Sequence, residues 1–159
     1  MGSGGAAGSA GLIVGSDSFK DGDYLASEFS CEGRDHSPDI HWSFKDGAKS
    51  FALICEDPDA PGGTFIHWVV YNIPASYSRL AKGFPGSGAP DGIMQGVNDF
   101  GEYGYKGPCP PRGRPHHYIF TLYALDTVVS GKGLSAAELK KAIKGHVLAS
   151  GSVTGLFKR

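Results

Sequence analysis

The sequence contains no apolar run approaching the ~20 residues of a membrane-spanning helix, so no integral membrane segment is expected. It has no excess of charge of either sign: 15 Lys and Arg stand against 16 Asp and Glu, for a formal net charge of −1. Nucleic-acid binding shows as a basic excess or stripe, and polybasic membrane docking as a Lys/Arg cluster. Neither is present, so the expected partner is a small molecule or another protein. Cysteine is scarce. Cys31, Cys55 and Cys109 lie far apart and include no CxxC pair, which argues against a zinc ribbon or a redox dithiol. Three reduced thiols in a cytoplasmic protein are the expectation, with a single disulfide as the alternative. Residues 1–11 are nearly all Gly, Ala and Ser and lack the basic and apolar regions of a signal peptide. They are expected to form a flexible lead-in to one domain over residues 12–159. No repeat, no HExxH and no GxSxG occurs, and no metal or cofactor is expected.

What is present suits a single small domain. A chain of 159 residues buries roughly 70% of its unfolded surface, enough for a core without staples. The 25 glycines and 10 prolines imply many turns and few long helices. Ile40–Phe44, Phe51–Glu56, His67–Ile73, His117–Leu125 and Ser152–Phe157 are short, β-branched and aromatic-rich, and predict strands. Several are apolar on both alternations, as in strands buried on both faces. One helix is signalled. Ser135 and Glu138 have capping-box spacing, Leu134 and Leu139 can form a staple, and Gly145 is placed to end it. Lys140, Lys141 and Lys144 are expected on its solvated face. Two long loops remain, Ala75–Gly104 and the proline-rich Gly107–Pro115.

Polar chemistry concentrates at three strand ends: Asp57-Pro58-Asp59-Ala60-Pro61, His67-Trp68 and His116-His117-Tyr118. Prolines stiffen the first turn, which presents two carboxylates. A histidine can donate to an anion through one ring nitrogen while a carboxylate orients the other, so Asp57 or Asp59 is expected to serve His67 or His116. Tyr118, two residues beyond His116, falls on the same strand face. Two histidines and a carboxylate could instead hold a metal, though the spacing matches no compact motif. Cys109 is the candidate nucleophile if the site were catalytic. His36, His41 and His146 are expected to be structural or on the surface.

At greater length the pattern resembles a known family. SFALICEDPDAPGGTFIHWVVYNIPA, from Ser50, and GYKGPCPPRGRPHHYIFTLYALD, from Gly104, resemble the two signatures of the phosphatidylethanolamine-binding proteins. The ending KGHVLASGSVTGLFKR and the short GGTFI segment are similar to the bacterial and archaeal branch. The long C-terminal helix of the mammalian branch has no counterpart in this sequence.

The resemblance implies a mainly β fold, with a large antiparallel sheet packed on a smaller one and few peripheral helices. It implies a pocket for phosphate-type anions, including phosphoryl head groups, lined by Asp57, Asp59, His67, His116 and Tyr118 and rimmed by Gly107 and Pro108. It also implies a homodimer. The function expected is non-enzymatic anion binding with a regulatory role. The alternatives are inhibition of a serine protease or kinase through surface loops, and a hydrolase using the Asp/His pocket.

Overall fold

The structure is a computed structural model that describes residues 11–85 and 89–159. Of the expected lead-in, residues 1–10 lie outside the described residues; Leu12 is already in the core, 1% exposed. Eight strands and one α-helix follow in the order β1 (Ile13–Gly15), β2 (Ile40–Ser43), β3 (Ser50–Asp57), β4 (Phe65–Pro74), β5 (Arg79–Leu80), β6 (Met94–Gln95), β7 (His116–Leu125), α1 (Ala136–Ile143) and β8 (Val147–Phe157). A 3-10 turn covers Ser27–Phe29. The strands form a five-stranded sheet, β6-β4-β3-β7-β8, and a three-stranded sheet, β1-β2-β5. All the strand pairs are antiparallel. This is the expected architecture, a large sheet packed on a smaller one.

The central strand shows why the sequence reads as a run rather than an alternation. Leu53 and Cys55 face the core between the sheets, with Leu12, Val14, Ile40 and Trp42. Ala52 and Ile54 face the other way, into a second cluster built on Leu139 and Ile143 of α1. Both faces of β3 are therefore dry, so polar residues are excluded from both alternations. The helix forms where the capping box is: Ser135 accepts from the Glu138 amide, and Glu138 reaches back to the Ser135 amide.

Three departures from expectation have physical causes. β8 begins at Val147, five residues earlier than its apolar signal, because it pairs with the whole of β7 from Leu125↔Val147 to His116↔Phe157. The ladder supplies what the small, polar residues Ser150, Gly151 and Ser152 do not. β5 and β6 lie inside the expected Ala75–Gly104 loop and are two residues each, too short to carry a periodic pattern. Finally, Cys31 and Cys109 form a disulfide across 78 residues of sequence, which corrects the expectation of three reduced thiols. Only Cys55 of the three is free, and it is buried in the core.

Candidate functional site

Strand order positions the site. β3 lies between β4 and β7 and runs antiparallel to both. Its C-terminal end therefore meets the N-terminal ends of its neighbours. Asp57 continues the Leu53–Cys55 alternation and faces between the sheets; it is 3% exposed. On β7 the alternation His116, Tyr118, Phe120, Leu122 is buried, so His116 and Tyr118 share that face as expected.

His67 reaches the same face by a local irregularity. Cys55 pairs with Trp68, but Glu56 pairs with Ile66, so His67 is an extra residue in a β-bulge. A bulge breaks strict alternation and re-aims a side chain. Trp68 consequently joins the inter-sheet core while His67, its immediate neighbour, lines the cavity beside Tyr118, with ring centroids 5.2 Å apart.

The hydrogen bonds define the imidazoles. His116 Nδ1 lies 2.7 Å from Asp57 Oδ2, and His67 Nδ1 lies 2.7 Å from the Lys106 carbonyl oxygen. A carbonyl can only accept, so His67 carries its proton on Nδ1. The Asp57 carboxylate, accepting from Nδ1, holds His116 in the same tautomer. Asp57 Oδ1 accepts in turn from the Asp59 amide, which closes the turn. Burial holds His67 below the usual histidine range, against the opposing effects of the Lys106 carbonyl and nearby Asp57. Burial, and then the Asp57 charge, push the Tyr118 hydroxyl far above its ordinary value. It remains a neutral hydroxyl.

These groups line a cavity of about 200 Å³ whose other walls are Ala60, Pro61, Phe65, Phe100, Cys109, Pro110 and Pro111. The volume suits a small ligand rather than a long chain. Phe65 and Phe100 have no local sequence signal. Phe100 arrives because Asp99 clamps the loop to β4: its amide donates to the Ile66 carbonyl at 2.9 Å, and its carboxylate accepts from the Ile66 amide at 2.8 Å. Phe100 then packs edge-on against Phe65 and His67.

The other expected site residues lie elsewhere. Asp59 does not line the cavity. Its carboxylate accepts from the His117 ring and amide at 2.7 and 2.8 Å, and those bonds hold it below the usual carboxylate range. It pins the turn to β7. Gly107 and Pro108 brace the loop from behind: the Gly107 amide donates to Asp35 at 2.7 Å, and the Pro108 carbonyl accepts from the Cys31 amide at 3.1 Å. The next residues, Cys109 to Pro111, form the wall itself. Cys109 is bonded to Cys31, so the candidate nucleophile carries no free thiol. His36, His41 and His146 pair with Glu28, Asp17 and Asp126. Asp17, Asp39 and His41 bring ligand atoms within 4.8 Å of one another, but Arg79 reaches both carboxylates at 3.0 and 3.1 Å and supplies the positive charge there.

A family model described as phosphatidylethanolamine-binding protein matches residues 15–158. The chain belongs to the phosphatidylethanolamine-binding protein family. It is 46% identical over 157 residues to a UPF0098 protein of Aquifex aeolicus, covering 96% of this chain and 92% of that one. It is 42% identical to the UPF0098 protein YbhB of Escherichia coli, with 89% and 97% covered. Among solved structures, a phosphatidylethanolamine-binding protein homolog from Chlamydia trachomatis superposes with a TM-score of 0.85 at 37% identity, covering 95% and 99% of the two chains. Escherichia coli YbcL gives 0.86 at 36% identity, covering 94% and 99%. The two-sheet architecture is thus the family's own. Among the described residues no helix is long and apolar enough to cross a membrane.

Proposed function

We propose that this chain binds a small anion, phosphate or a phosphoryl head group, at Asp57, His67, His116 and Tyr118, and that it does so without catalysis, in a regulatory role. One observation carries the reading: two buried imidazoles line a single small cavity, each with Nδ1 already engaged. Each ring then meets a ligand through Nε2. A neutral Nε2 is an acceptor, whereas an ionised phosphate oxygen needs a donor. Each contact therefore needs a proton between the two atoms: either an O–H that the phosphate already carries donates to Nε2, or the ring takes up a proton and donates as an imidazolium. The Tyr118 hydroxyl is a further neutral donor.

The test is a phosphate titration followed through the histidine ring signals by NMR, from about pH 8 down to about pH 5.5, across the range where histidine gains charge. Signals of His67 and His116 are expected to shift, binding to tighten as pH falls, and His116→Ala to lose the response. A folded protein whose two rings ignore phosphate at every pH would refute the reading.

Covalent catalysis by Cys109 loses its free thiol to the disulfide; a hydrolase using the Asp/His pocket would show ester or phosphoester turnover that Asp57→Asn abolishes. Inhibition of a protein target keeps one supporting observation. Residues 111–113 are exposed beside the pocket on a loop tied to the C-terminal residue, with Arg159 Nε donating to the Pro110 carbonyl at 2.8 Å. Inhibition that survives His116→Ala would favour that reading.

A further inference from the structure

The Cys31–Cys109 bond takes no part in the chemistry above, yet Cys109 is a wall of the same cavity. Both cysteines are exposed. The four residues that lead into Cys109 form a brace. Tyr105 Oη donates to the Phe29 carbonyl at 2.6 Å, and the Lys106 carbonyl accepts from His67 at 2.7 Å. The Gly107 amide donates to Asp35 at 2.7 Å, and the Pro108 carbonyl accepts from the Cys31 amide at 3.1 Å. One end of this brace orients His67, and the other runs into Pro110 and Pro111, which close the cavity.

What secures the far end is short of alternatives. Pro108, Pro110 and Pro111 have no amide hydrogen to donate. Among the described residues, the ties to this wall beyond the Pro108 carbonyl contact are the disulfide and the Arg159 side chain on the Pro110 carbonyl, with the Gly113 amide donating to the Arg159 carbonyl at 3.3 Å just past it. The remaining thiol, Cys55, is 1% exposed and is shut away from exchange. We propose that Cys31–Cys109 is a thiol–disulfide exchange site at which a dithiol reductant controls the pocket's hold on its anion. A dithiol thiolate attacks one sulfur and forms a mixed disulfide, releasing the other cysteine as a thiolate. The second thiol of the reductant then displaces the first cysteine and closes its own disulfide. The protein gains two electrons and two protons, and the dithiol loses them. Exposed disulfides are the labile ones in such exchange, and a reducing cytoplasm would supply the reductant class.

The experiment compares oxidised protein, protein reduced with dithiothreitol, and Cys31→Ser, which leaves Cys109 in the wall. Circular dichroism follows the fold, NMR follows the rings of His67 and His116, and inorganic phosphate is titrated into each form. If reduction lowers the closed fraction to about a tenth, apparent affinity falls about tenfold, and Cys31→Ser behaves like the reduced form and ignores the reductant. Unmoved His67 and His116 signals on reduction would overturn the proposal whether or not phosphate binds. So would equal affinity in the oxidised and reduced forms. Global unfolding on reduction would overturn it too, making the bond a staple of the fold. The affinity arm rests on the anion-binding reading, but the ring arm does not: shifted rings with no phosphate binding in any form would keep the exchange site and reject the anion.

Discussion

His67 has opposite effects on stability and on binding as pH changes. Burial holds the folded ring below the unfolded histidine value, so the unfolded chain binds its proton first as pH falls. Stability then rises with pH wherever the unfolded state holds more protons. The contribution is complete above the unfolded value, near 6.5, and is lost as pH falls below it toward the folded value. Urea unfolding without phosphate is expected to show stability falling between about pH 7.5 and pH 5.5, with a smaller fall in His67→Gln. Phosphate should offset part of that fall in the native protein, because the imidazolium can donate to it through Nε2. A native protein that loses no more stability than His67→Gln over this range would contradict the assignment. Asp57 plays a different part: 3% exposed and bonded to His116, it makes the tautomer of that ring a property of the fold.

Irregularities within the elements matter as much as the elements. The bulge at His67 moves one imidazole into the cavity that strict alternation would have placed on the opposite face. A second bulge in β4 sits at Asn72, which adopts φ +57° and exchanges two hydrogen bonds with Val129. Asparagine tolerates that left-handed backbone where a branched residue would not. The brace before Cys109 depends on a glycine for a different reason. A Cβ on Gly107 would stand 2.0 Å from the Phe29 carbonyl oxygen and 2.7 Å from Asp35 Oδ1, and backbone cannot easily yield. Gly107→Ala is expected to destabilise by about 3 kcal/mol, the upper end for overpacking. It should also disturb the His67 ring, since Lys106 is the preceding residue. Denaturant melts and the His67 NMR signal check both; an unchanged ring would show that the brace does not reach the site.

For the molecule as a whole, the core between the two sheets and the disulfide do separate work. The core runs from Leu12 and Val14 through Trp68 and Phe120 and joins residues from the first strand to the last. The disulfide closes a loop of 78 residues, worth about 4 kcal/mol in the chain-entropy model. That is less than the ~5–15 kcal/mol of a typical domain, so Cys31→Ser should unfold at lower urea yet remain folded at 25 °C. A drop in stability near 4 kcal/mol, measured by urea unfolding, would match. A Cys31→Ser protein with no cooperative transition would show that the core cannot stand alone.

Much of this is legible in the amino-acid sequence alone. The run FALICE showed a strand buried on both faces, since apolar residues on both alternations are tolerated only there. Ser135 and Glu138 located the helix because a capping box is a local interaction. Three polar clusters at strand ends located the site's raw material, and the likeness of two long segments to a known family joined Asp57, His67, His116 and Tyr118 into one set. Tertiary structure decided what depends on distant partners. It turned Asp59 outward onto His117, set Gly107 and Pro108 behind the wall, brought Phe100 over His67 through an Asp99 clamp, and paired Cys31 with Cys109. None of these has a local pattern, because each is a contact between segments whose separation in sequence carries no record of their distance in space.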